Sequence, residues 1–177
     1  MTNEPQEVEL SVLDLRVVAR YAADSALEVL AVFERDQPGD PRPRLAIEAA
    51  LAFADGSARS NVQRTSAVAA HRAAKNATTE AAREAALAAG DAAAAAYLHP
   101  LARANQVRHI LGASAHAAHA AELVANGDRD VGAEWIENAR QRASPVLVAI
   151  LSRYPRAPSS GNRATQLMSA LDTSLRL

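Results

Sequence analysis

AALAAGDAAAAAYLHPLARANQVRHILGASAHAAHAAEL, residues 85–123, is the stretch that decides the fold. Alanine fills most of it, and alanine loses least on entering a helix. A methyl side chain also lets helix backbones come close, so the stretch predicts helices packed tightly against one another. Pro100 interrupts it. Proline removes one backbone donor and pushes His99 away from α geometry. The chain therefore either kinks at Pro100 or ends one helix there and starts another.

Working outward, a Ser11–Asp14 capping box predicts a first helix that runs through Phe33 and stops before Asp36-Gln37-Pro38-Gly39. Asp40 caps a second helix, with Pro41 and Pro43 in its first turn, that extends to Gly56. A third is expected from about Arg59 to Asn76. A fourth, capped by Thr78 or Thr79, should reach Tyr97 or Leu98. Leu101–Val124 reads as helix again, ending at Asn126-Gly127. Asp130 opens a further helix, which Ser144-Pro145 kinks or restarts and Pro155 ends. A last helix from about Arg163 carries Ala164, Leu167, Met168, Leu171 and Leu175 on one face.

No run alternates at period two for long enough to make a strand. The expected class is therefore all-α: a compact antiparallel bundle of six to eight short helices, alanine-packed, with no sheet. Residues 1–177 read as a single helical domain, with 1–10 as a polar tail and 155–162 as a loop before the amphipathic last helix.

The apolar fraction is 49%, but about half of it is alanine. Large apolar residues make up roughly a fifth of the chain, close to where disorder begins to compete. A formal net charge of −1 and helical spacing of those residues argue for folding. The absence of cysteine excludes disulfides, zinc-thiolate sites, iron–sulfur clusters and thiol nucleophiles. No secretory signal or membrane span is read, so a cytoplasmic protein is expected. Residues 1–40 hold nine acids against three bases, and the remainder holds eleven against sixteen. An acidic first helix suits a basic protein partner, with Asp24, Glu28 and Glu34 as candidate contacts. The balanced total argues against nucleic-acid binding.

Candidate chemistry centres on the histidines. His109 and His116 project about 20° apart on a helix, and His119 shares that side within about 60°. His116 and His119 stand at i, i+3, with Glu122 continuing the spacing, which makes His109, His116 and His119 the candidate metal ligands. No HExxH or comparable signature accompanies them, and no metal or other cofactor is assigned. His99, at the helix break, is expected to anchor the kink through a side-chain hydrogen bond to a freed carbonyl, or else to act as a general base or contact a partner. In RPRLAIE, Arg44 and Glu48 stand at i, i+4 and predict an ion pair. Arg42 opposes the helix dipole there unless Glu34 or Asp36 compensates. No GxSxG elbow, SxxK pair or glycine-rich phosphate loop exists, and the seven glycines read as helix stops.

Three segments carry a family resemblance: FERDQPGDPRPRLAIEAALAFADG (33–56), AAREAALAAGDAAAAAYLHPLARANQVRHILGASAHAAHAAEL (81–123) and, more weakly, RASPVLVAILSRYP (142–155). Together they resemble an alanine-rich, all-helical bacterial family known as putative immunity proteins. Some of its members bear the name exonuclease SbcC. An ATPase of that kind needs a GxxxxGK[ST] loop, which this sequence lacks. The resemblance implies a non-enzymatic protein that neutralises a toxin. It places the family's recurrent polar residues at Arg42, Arg44, Glu48, His99 and His109. Two other readings stand beside it. One is a structural or self-assembling helical module, with the alanine-lined helices and the amphipathic 163–177 tail forming a homodimer seam. The other is a metal or small-ligand enzyme built on the histidines.

Overall fold

The computed structural model describes residues 6–177. Nine α-helices follow one another among these residues. They are α1 (Val12–Leu27), α2 (Leu30–Asp36), α3 (Arg42–Ala54), α4 (Asn61–Ala73), α5 (Glu80–Ala94), α6 (Val107–Val124), α7 (Arg129–Arg142), α8 (Pro145–Leu151) and α9 (Arg163–Leu175). The described residues contain no sheet; one isolated antiparallel bridge joins Glu7 to Leu101. Residues 1–5 of the expected tail lie outside the described residues.

α5 and α6 form the centre. α5 packs against α1, α2, α3, α4 and α6, and α6 packs against α1, α5, α7 and α9. Alanine makes this possible: Ala82, Ala85, Ala86, Ala88, Ala89, Ala92 and Ala93 are all fully buried, so α5 is covered on nearly every side. A helix of bulky residues could not accept five neighbours at such close range. Thr79 caps α5 by accepting the Ala82 N–H, and Glu80 in the first turn suits the dipole. The expected Ser11–Asp14 capping box opens α1. α6 ends on two left-handed residues, Asn126 (φ 59°) and Gly127 (φ 80°).

One departure from the sequence reading and two choices it left open have physical causes. The expected first helix breaks at Val29 (φ −112°, ψ 1°), and the second piece turns Leu30 and Phe33 into the core. Pro100 splits its helix rather than kinking it. The chain leaves α5 through a 3-10 turn (Ala95–Tyr97), runs extended, and enters α6 only at Val107. The extended piece is held from outside: Val8 N–H donates to the Pro100 carbonyl and Ala102 N–H to the Gln6 carbonyl, each at 2.9 Å. The α9 face expected as a dimer seam is spent within the chain. Ala164, Leu167, Met168, Leu171 and Leu175 are buried, and α9 packs on α6 and α7.

Candidate functional site

Because α5 and α6 are central, any charged residue they bury must be answered inside the protein. Glu84 and Asp91 lie two helical turns apart on α5 and are both buried. His116 of α6 sits between them. Its Nδ1 is 2.6 Å from Glu84 Oε2, and its Nε2 is 3.5 Å from Asp91 Oδ2. Asp91 also meets His71 of α4 (Nε2 to Oδ1, 2.9 Å) and the Arg108 guanidinium (both bonds 3.1 Å). His119 Nδ1 lies 3.2 Å from Glu84 Oε2 without forming an aligned hydrogen bond. Farther along α6, Glu122 receives Arg163 of α9 at 2.8–3.1 Å.

The electrostatics follow from this geometry. Burial alone would raise the Asp91 carboxyl, but His71, His116 and Arg108 hold it down to about 2. Glu84 is likewise held below its ordinary range, because the His116 and His119 contacts outweigh burial. Burial, opposed by the nearby Asp91 charge, lowers His109.

Space for these side chains comes from glycine. A Cβ on Gly112 would stand 2.5 Å from Asp91 Oδ2, and one on Gly132 would stand 2.2 Å from Glu122 Oε2. A Cβ on Gly90 would stand 2.3 Å from the His71 ring. All three glycines lie inside helices, so they are not the helix stops the sequence suggested.

His116 and His119 converge on Glu84, while Glu122, the expected fourth member of the spacing, turns to Arg163. Among the described residues, no three His, Asp or Glu side chains are arranged to hold a metal ion. Both ring nitrogens of His116 face carboxylates, Nδ1 towards Glu84 and Nε2 towards Asp91. A small cleft of about 200 Å³ opens beside His116 and Arg108, next to the start of α9.

At the surface, five acids of the acid-rich beginning of the chain are paired with arginines. Asp14 pairs with Arg153, Asp24 with Arg20, Glu28 with Arg142, Glu34 with Arg44 and Asp40 with Arg42, none farther than 3.9 Å. Arg20 also reaches Asp55. Arg44 therefore takes Glu34 across the α2–α3 turn in a two-point bond (2.7 and 2.9 Å) instead of the expected Glu48. Arg42 takes Asp40, whose side chain also caps its N–H. Glu48 stays exposed on α3. Asp36, the other expected partner of Arg42, accepts from Thr78 and is lowered to about 2 by those bonds. His99 holds the break through its backbone. Its N–H donates to Gln106 Oε1, and its carbonyl accepts the Tyr154 hydroxyl, each at 2.9 Å.

A groove of about 550 Å³ runs between α1, the end of α3 and the start of α8. Arg16, Arg20, Asp24 and Arg142 line it beside the apolar Leu13 and Leu147. Burial raises the Asp24 carboxyl there, against the pull of Arg20 and Arg142.

Sequence reasoning missed Glu84, Asp91, Arg108 and Arg163. Their signal was present: a charge set within an alanine helix that all its neighbours cover has to find a buried partner.

The described residues are thus all-helical and packed on alanine, with the buried carboxylates of Glu84, Asp91 and Glu122 paired inside the chain. The chain belongs to the family described as "Imm-5 like putative immunity protein", which matches residues 9–145. No curated protein and no solved structure matches the chain. Among the described residues, no helix is long and apolar enough to cross a membrane.

Proposed function

We propose that this chain is an immunity protein that binds a toxin, blocks the toxin's working surface and catalyses no reaction itself. Family membership over residues 9–145 carries the reading. The ionic seam supports it: His71, His116, Glu84 and Asp91 are engaged with one another and hold helices together. An occluding protein needs a rigid framework and an accessible face, and a packed bundle supplies both.

The acid-rich α1–α2 segment, with Asp24, Glu28 and Glu34, is a weaker contact surface than its composition suggests, because arginines of the same chain already occupy those carboxylates. Arg42 and Arg44 are engaged in the same way. A partner binding there would first have to displace these pairs.

The test is co-expression of the chain with each toxin encoded beside its gene, followed by purification of any complex. Restored growth together with a stable 1:1 or 2:2 complex is the expected result. Failure to restore growth with every such toxin would remove the reading.

A further inference from the structure

The 24 residues from Gly56 to Thr79 contain no acid and four cations, Arg59, Arg64, Arg72 and Lys75. They build α4 and its flanks. The inner side of α4 is Gln63, Ala67, Ala70 and Ala73, all buried. Arg64, Val68 and Arg72 follow at four-residue intervals on the outer side, with Lys75 just beyond, and all four are exposed. Val62 and Val68 are 55% and 44% exposed.

Among the described residues, none of the four cations has a carboxylate within salt-bridge distance. The paired arginines all belong to other segments. The helix dipole suits Arg72 and Lys75 near the end of α4, but it gives them no partner.

Two of the cations are held in place. Arg59 and Arg64 both lie over the Tyr97 ring, 5.0 and 4.5 Å from its centre. Arg59 also donates to the Ala96 carbonyl, and the Tyr97 hydroxyl donates to the Ser60 carbonyl at 2.6 Å. These contacts fix guanidinium groups at the surface before any partner arrives, which lowers the ordering cost of binding.

We infer that the outer face of α4, with Arg59, Arg64, Arg72, Lys75 and the exposed Val68, is the docking surface for an acidic face of the toxin. The inference rests on the immunity reading above. Charge complementarity selects the partner: unanswered arginines around an exposed valine fit carboxylates set among apolar side chains. A protein is favoured over nucleic acid because Val68 interrupts the basic stripe and the whole chain carries a formal charge of −1.

The experiment uses the full chain, the purified toxin that co-expression identifies, and a 20-base-pair DNA duplex as a second probe. R64E/R72E/K75E should slow association with the toxin about tenfold or more at low salt and weaken its salt dependence. R64Q/R72Q/K75Q should give a smaller loss in the same direction. R129E/R156E, elsewhere on the surface, should bind within about twofold of the parent, and all variants should melt within about 2 °C of it. A triple variant that binds the toxin like the parent overturns the α4 assignment and leaves the immunity reading standing. Tighter binding of the parent chain to the duplex than to the toxin, lost in R64E/R72E/K75E, would reassign the face to nucleic acid and overturn it as well. If no toxin is neutralised, both readings fall together.

Discussion

Asp91 and Arg72 stand on neighbouring helices in opposite conditions. Asp91, on the inside of the α4–α5–α6 contact, meets His71, Arg108 and His116. Arg72, on the outer side of α4, meets no carboxylate among the described residues and stays exposed. The same residue types thus do two kinds of work. Where alanine lets helices close around a charge, the charge becomes structural and must be matched. Where a helix turns a side away from its neighbours, the charge stays available to another molecule. Composition cannot separate the two cases, but position on a covered or uncovered helix face does.

The largest test of this contrast is Asp91→Ala. It leaves His71, Arg108 and His116 without their common partner and should cost about 3–5 kcal/mol, as for other broken buried ion pairs. That is a large part of the total stability of a domain, about 5–15 kcal/mol. Urea unfolding measures it, and a loss below about 1 kcal/mol would mean the seam does not hold the core.

Gly112→Ala and Gly132→Ala come next. Each drives a methyl group into a carboxylate pinned by an arginine. Each should destabilise by about 1–3 kcal/mol through overpacking, although alanine is the better helix former by about 1 kcal/mol. Gly39→Ala is the matched control. Nothing lies within 4 Å of its added methyl, so its unfolding midpoint should hold or rise slightly.

Acid titration gives a smaller effect of known sign. Asp91 is held at about 2 against an ordinary 3.8, so the folded protein takes up this proton less readily than the unfolded chain. The stability it supplies is complete above about pH 4 and drains as pH falls through about 2. Urea midpoints recorded from pH 5 to pH 2 should show a decline on the order of 2 kcal/mol from this group. Asp91→Asn should flatten that part of the curve, and an unchanged slope would show that Asp91 does not titrate in this window. The smallest effect on stability belongs to R64E/R72E/K75E, whose melting temperature should stay within about 2 °C of the parent. The contrast sharpens if the same variant alone loses its partner.

Much of the architecture was legible because alanine density, capping residues and glycine or proline stops are local signals. Ser11, Thr79 and Asn126-Gly127 act where the sequence placed them. The break at Val29 was not legible, since it depends on Leu30 and Phe33 meeting α5. The ion pairs were less legible still. Arg44 and Glu48 have ideal helical spacing, yet Glu34, ten residues earlier, takes the guanidinium in a two-point bond. Local spacing proposes a partner, and the packed chain offers better ones. The acid count of residues 1–40 is silent on pairing for the same reason: Arg142 and Arg153, which answer Glu28 and Asp14, come from far along the chain.

At one end of the bundle, residues 6–9, 99–102 and 153–154 meet. The Val8 and Ala102 N–H groups make the two hydrogen bonds that flank the Glu7–Leu101 bridge, Arg153 donates to the Glu9 carbonyl, and the Tyr154 hydroxyl reaches the His99 carbonyl. Early, middle and late portions of the polypeptide are thereby fastened at a single junction. Closing such long loops is entropically costly, so this junction is expected to form after the alanine helices have assembled, which a refolding experiment with pulsed hydrogen exchange would check. Its amide protons will report in hydrogen exchange whether the two chain ends loosen together or one at a time.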